Sequence, residues 1–275
     1  MSKNKNEYVT FSFGSNLQNY IDNYFNDERL KIAINSLKFD LDIKSLKDKT
    51  FLDVGCGCGL GSLSAVNLGA SEVLSFDFDY SSYQCTKSLS IADQKNWNVL
   101  HGSVLDKSFM KNIKKFDVVY TFGSLCHTGN MFEAIKVCSN KVNKGGLFFF
   151  SVLNKKLGLR GSHNQIKLKR LYNKSPHYAK KLLEFALIYN FYIRKLISFK
   201  NPFRIIREQE KSPLSRGMDF RSGIIDWLGA LPYEYATGQE IYDFCTKKLN
   251  LELADMHLVD ERNALGLNHF LFRKL

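Results

Sequence analysis

Short apolar runs alternate with amphipathic stretches from residue 51 to residue 153. Phe51–Val54, Val73–Phe76, Asn98–His101, Phe116–Phe122 and Leu147–Val152 have the length and composition of strands. Between them the apolar spacing becomes helical over Leu60–Leu68, from about Ser81, and over Met131–Asn140. Several of these strands are apolar throughout rather than at every second position, as strands covered on both faces are. The alternation therefore predicts an α/β fold, a parallel sheet with helices on both sides. Asn143-Lys-Gly-Gly146 reads as a turn before the last of these strands.

Past residue 153 the rhythm breaks. His177–Phe199 reads as one long helix, apolar on most sides, with Lys180, Lys181, Arg194 and Lys195 at its ends. Arg216-Gly-Met218 and Asp226–Glu234 read as a loop, followed by a helix over Gly238–Leu249 and closing strands near Leu251–Val259 and Asn268–Phe272. Four regions follow: an arm and helix over 1–50, a core over 51–153, a helical insertion over 154–215, and a part over 216–275 that completes the sheet.

Composition narrows the class. The 275 residues are enough for one large α/β domain with an appendage, and 44% hydrophobic with 24% charged residues fits a soluble globular chain. The net charge of +12 is concentrated: 154–216 holds sixteen Lys and Arg against three Glu. That asymmetry points to an anionic partner or to a solvated basic face. Six scattered cysteines without a Cys-x-x-Cys pair argue against a metal site and a disulfide framework, so a reducing cytoplasm is expected. The polar start has no leader-like apolar run, and no stretch has the roughly 18 apolar residues of a membrane span.

The candidate chemistry begins at Asp53-Val-Gly-Cys-Gly-Cys-Gly59, where Gly55, Gly57 and Gly59 follow the first strand and open the first helix of the core. Glycines there let the backbone turn tightly and approach a ligand that a Cβ would block. The second strand ends in Asp77-Phe-Asp79, placing a carboxylate where the ribose of a nucleotide would lie in an open α/β sheet.

This turn resembles motif I of class I S-adenosylmethionine-dependent methyltransferases. Phe76-Asp-Phe-Asp79 looks like motif II, and Phe116–Gly129 resembles the strand and loop of motif IV. Phe13-Gly-Ser-Asn16, Ser75–Thr86, His127-Thr-Gly-Asn-Met131 and Arg216–Glu234 are similar to a bacterial subgroup distantly related to ubiquinone-pathway O-methyltransferases.

The resemblance implies a Rossmann-like sheet, mostly parallel with its last strand antiparallel, and a helical lid over 154–215. It implies S-adenosylmethionine as cofactor, S-adenosylhomocysteine as product, and no metal. Asp53, Gly55, Gly57, Gly59, Asp77, Phe78, Ser103, Val104 and Gly123 would hold the cofactor. His127, with an ordinary pKa of about 6.5, is the candidate base, and Asn16, Asn154, Arg216, Asp226, Asn268 and His269 are weaker candidates for the acceptor.

The expected reaction is O-methylation of a small polar or anionic acceptor, such as a sugar or phosphorylated glycan precursor. N- or carboxyl-methylation remains open, as does a chain that binds the cofactor without turnover. Nucleic acid, docking on the basic insertion, is less favoured because no Asn-Pro-Pro-Tyr-like tetrapeptide follows the fourth strand. The 177–199 helix could close over the pocket or lie on a membrane surface, and the oligomeric state is not written in the sequence.

Overall fold

The computed structural model describes residues 13–90, 96–156, 161–212, 215–259 and 266–275. Within the expected arm, residues 1–12 lie outside the described residues. Two helices, α1 (Gly14–Asn23) and α2 (Asp27–Leu41), come first. Asn26 starts α2, its side chain accepting from the Arg29 N–H.

The core then alternates as β1 (Thr50–Val54), α3 (Leu60–Asn67), β2 (Glu72–Asp77), α4 (Tyr80–Ser90), β3 (Trp97–His101), α5 (Lys107–Asn112), β4 (Phe116–Phe122), α6 (Met131–Ser139) and β5 (Val142–Asn154). The insertion and closing part supply α7 (Ser162–Lys174), α8 (His177–Ile197), α9 (Pro202–Lys211), α10 (Phe220–Gly229), β6 (Tyr235–Ala236), α11 (Gly238–Leu249), β7 (Leu251–His257) and β8 (Leu267–Lys274).

The sheet runs β3-β2-β1-β4-β5-β8-β7, with the short β6 beside the end of β5. Every pairing among β1 to β5 is parallel, and β8 lies antiparallel to both its neighbours. Strand order reverses between β1 and β4. The crevice beyond the carboxyl ends of such strands is where ligands bind in open α/β sheets.

The aromatic run of β5 supplies both layers of the core. Phe148 and Phe150 face one side, where Phe150 stacks on Phe270 and Phe272, while Phe149 faces the other and stacks on Tyr120. All three are at most 1% exposed, and burial of each is worth about 1.5–3 kcal/mol.

Three elements differ from the sequence expectation. The turn expected at Asn143–Gly146 lies inside β5, where the register against β4 shifts. Gly145 takes up the irregularity at φ +75° with nothing within 4 Å of an added Cβ. The stretch from Phe220 is helical rather than loop, because the Asp219 carboxylate accepts from the Arg221 and Ser222 N–H groups and starts α10 despite Gly223 and Gly229.

The third difference is the place of α8, which lies outside the cavity wall: none of 177–197 lines the cavity. Tyr178, Leu182, Phe185, Tyr189, Leu196 and Ile197 are all exposed along it. Among the described residues no helix is long and apolar enough to cross a membrane.

Candidate active site

One cavity of about 1220 Å³ opens along the carboxyl ends of β1, β2, β4 and β5. Its first half is shaped by backbone. Gly55 (φ +70°) donates its N–H to Phe76 O at 2.9 Å, and a Cβ there would come within 2.4 Å of Ser124 Cβ. The turn can therefore close only on glycine. Gly57 (φ +60°) donates to Asp77 Oδ2 at 2.9 Å, and the Asp79 N–H donates to Asp77 Oδ1 at 2.8 Å.

These bonds fix the Asp77 carboxyl at the end of β2, on the cavity wall. Burial raises its pKa to about 6, against the opposing pull of the two N–H donors. Phe78 stands 67% exposed on the cavity rim, and Gly102, Ser103 and the buried Val104 form the adjoining wall. Gly123, at φ +64° after β4, also lines the cavity and donates to Ser151 Oγ.

Five expected contacts lie elsewhere, Asn16 of α1 among them. Asp53 is 3% exposed behind the turn, where it accepts from Ser62 Oγ at 2.6 Å; burial raises its pKa to about 6. Ser75 Oγ shares a hydrogen bond with that Ser62 hydroxyl and accepts from Trp97 Nε1. The acid thus braces β1 against α3 and β2 rather than facing a ligand. Gly59 does not line the cavity either, and a Cβ on it would press on Thr86 and Trp97, so its glycine serves packing. Asn154 and Asn268, each 1% exposed, meet each other through Asn268 Nδ2 and Asn154 Oδ1 at 3.2 Å, and Asn268 accepts from the Val259 N–H. They tie β5 to β8. Gly61, which the motif spacing passed over, does reach the wall.

The other half is built of side chains from distant segments. Phe13 enters from the N-terminal arm beside His127, while Leu17 of α1 lies over Gly57 of the turn. Asn16 lies behind the wall and holds Asp226, donating to its Oδ1 at 2.9 Å and to Ser222 O. Asp226 itself lines the cavity, and burial raises its pKa to about 7. Arg216, held in a left-handed turn at φ +53°, lays its guanidinium 3.8 Å from the centre of the Phe122 ring. Arg216 and Asp226 both line the cavity that the glycine turn opens onto.

His127 follows β4 in a short 3-10 turn, and its Nδ1 meets Pro232 O at 2.6 Å. Because a carbonyl only accepts, Nδ1 carries the hydrogen and Nε2 is the free acceptor. Burial, with Lys169 nearby, lowers the pKa to about 4. This ring is far more reluctant to keep a proton than the ordinary value implies.

Lys169 of α7 gave no signal in the sequence, where it reads as one of many insertion lysines. It is fully buried, lines the cavity, donates to the Trp227 carbonyl, and lies 4.6 Å from the ring centres of both Trp227 and Tyr233. Burial lowers its pKa to about 7. His269 lines the far wall, with its ring edge-on to Phe122. All six cysteines are buried free thiols, and among the described residues no cluster of metal-ligating side chains forms.

Residues 52–148 match the family described as a methyltransferase domain. The core is a class I methyltransferase domain. The chain is 31% identical over 137 residues to the ubiquinone biosynthesis O-methyltransferase of Pelagibacter ubique, covering 48% of this chain and 55% of that protein. It is 34% identical over 115 residues to the ribosomal protein L11 methyltransferase of Prochlorococcus marinus, covering 39% and 36%. The chain thus spans about half the length or less of these relatives. Magnesium protoporphyrin IX methyltransferase from Synechocystis, solved with bound S-adenosylhomocysteine, shares the fold at a TM-score of 0.53 and 11% identity, over 93% of this chain and 91% of that one. The methyltransferase domain holds the backbone half of the cavity, while much of the other half comes from segments outside 52–148.

Proposed function

We propose that this chain transfers a methyl group from S-adenosylmethionine to a hydroxyl of a small acceptor that combines an apolar body with an acidic group. The observation that carries the reading is the Asp77 carboxylate, fixed by two backbone N–H groups beside the bare turn and the exposed Phe78. A ribose diol fits that carboxylate, and an adenine fits between Phe78 and the Ser103–Val104 wall. Phe78, costly to leave in water, gains by covering a base. The zwitterionic tail then lies between Arg216 and Asp226, which offer one charge for each of its ends.

A cavity of 1220 Å³ leaves room for a second molecule beside the cofactor. The walls of that remaining space include Phe122, Ile224, Trp227, Leu231 and Tyr233, with Lys169 as the buried cation. This lining suits an aromatic or aliphatic acid with a hydroxyl better than a sugar. His127 Nε2 would accept a hydrogen bond from that hydroxyl and orient it. Methyl transfer is an in-line displacement, so alignment of donor and oxygen is the protein's main contribution, with removal of one proton.

Calorimetry with S-adenosylhomocysteine and methyl transfer to protocatechuate, a ring bearing both an acid and hydroxyls, test the reading. Asp77→Ala is expected to weaken the first by about a hundredfold, the scale of losing hydrogen bonds to a charged group. Wild-type protein that takes up no S-adenosylhomocysteine would refute it.

The outer face of α8 supports an additional role, docking on an anionic membrane surface. Leu182, Phe185 and Tyr189 are exposed there, with Lys180, Lys181, Arg194 and Lys195 at the helix ends. Sedimentation with phosphatidylglycerol vesicles is expected to retain the wild type and to lose Leu182→Glu/Phe185→Glu.

A further inference from the structure

Removal of the acceptor's proton needs a group that is stable once it carries the charge. His127 is poorly suited: its Nδ1 rests on a neutral carbonyl, and the charge of Lys169 opposes its protonation. A second imidazole faces the same cavity under the opposite condition. His269 lies on β8 at the register of Ser151, near the carboxyl end of β5 and edge-on to Phe122 at the end of β4.

Its Nδ1 is buried, has no hydrogen-bond partner, and lies 3.4 Å from Oδ1 of Asp40. Asp40 is 5% exposed on α2, and its other oxygen accepts from Tyr120 Oη at 3.0 Å. A buried carboxylate is thus aimed at the back of an imidazole whose ring lines the cavity. Such a carboxylate selects the tautomer with hydrogen on Nδ1 and stabilises the imidazolium that forms when Nε2 takes a proton. The contact is slightly long for a hydrogen bond in this structure and would shorten as the ring becomes charged.

We propose that His269, backed by Asp40, is the general base of the methyl transfer, and that His127 only orients the acceptor. The inference rests on the methyltransferase reading above. In the step, the acceptor oxygen forms a bond to the methyl carbon as the carbon–sulfur bond breaks and the sulfonium becomes a thioether. The hydroxyl proton passes to His269 Nε2 and from there to solvent. Asp40 acts through the ring and is a positioning residue.

The charged and titratable groups around His269 are Asp40 on α2, Tyr120 on β4, His257 across the β7–β8 pair with its partner Asp255, and Arg216 over the shared Phe122 ring. Of these, Asp40 alone directs a buried carboxylate at the ring.

Imidazole NMR on the full chain saturated with S-adenosylhomocysteine tests the pairing, and turnover of protocatechuate tests the chemistry. In its neutral form the His269 ring is expected to carry its hydrogen on Nδ1, facing Asp40, and the Nε2-protonated population is expected to rise at least threefold in Asp40→Asn. His269→Gln should lower kcat about a hundredfold with KM within about threefold, against less than tenfold for His127→Gln. Hydrogen on His269 Nε2 in the neutral wild-type ring, an unchanged tautomer population in Asp40→Asn, or the larger kcat loss at His127 would overturn the proposal. If Asp40→Asn does not fold, the wild-type His269 tautomer and the two kcat losses decide. Failure of the wild type to bind S-adenosylhomocysteine would instead remove the broader reading.

Discussion

The two halves of the cavity are made by different means. Toward β1 and β2, contiguous backbone around 55–57 and 77–79 does the shaping, and side chains of the same short stretches finish it. Toward β5 and β8, residues from α7, α10, the 3-10 turn and β8 converge from across the chain. Backbone-shaped space tolerates few substitutions because the main-chain path itself is the site. Side-chain-shaped space can change its ligand while the sheet stays as it is. One domain can thus keep its cofactor and vary its acceptor, in line with relatives whose names specify ubiquinone biosynthesis in one case and a ribosomal protein in another.

Arg216 gives the sharpest test of this division, because it comes from the variable half and is proposed to serve the constant one. Arg216→Met should weaken S-adenosylhomocysteine about tenfold or more in calorimetry, the scale of a charge-assisted hydrogen bond. An unchanged affinity would assign this cation to the acceptor instead.

Lys169→Met should show the reverse pattern. Cofactor affinity is expected to stay within threefold, while KM for protocatechuate rises about tenfold through loss of the acid's partner. The thermal midpoint should rise, since replacing a buried ammonium by an apolar side chain removes a desolvation cost.

The smallest effect is expected from Asp226→Asn. Burial raises the Asp226 pKa to about 7 in the folded protein, so its contribution to stability is full below the ordinary carboxyl pKa and is lost as pH rises through about 7. The ligand-free variant should therefore gain in melting temperature over the wild type between pH 4.5 and pH 7, by about 2–4 °C per kcal/mol recovered. A constant difference across that range would mean that the carboxyl is not desolvated.

Much of the first half could be read from the sequence because its chemistry is local. Glycines at strand ends and a carboxylate after an apolar run are consequences of neighbouring residues, and Gly55, Gly57, Asp77 and Phe78 stand on the wall where the motifs put them. Asp53 and Gly59 show the limit of that logic. Both belong to the motif, but the turn directs one toward Ser62 and the other against Thr86 and Trp97.

The acceptor half was harder to read because burial there is decided by tertiary packing. Nothing in the pattern of α7 distinguishes Lys169 from the lysines beside it, and nothing links Asp40 to His269, which lie at opposite ends of the chain. Asp219 did carry a local signal, since an acid two residues before a helix's first N–H donors is a cap. Gly223 and Gly229 masked it.

The chain's two tryptophans stand on opposite sides of this division. Trp97 is sealed under the sheet by Ser75, whereas Trp227 sits in the cavity wall beneath the ammonium of Lys169. The protein therefore carries its own optical gauge. Emission from the indole on the wall will follow what enters the acceptor space and how far the amine above it is protonated, while the enclosed indole supplies a steady internal reference.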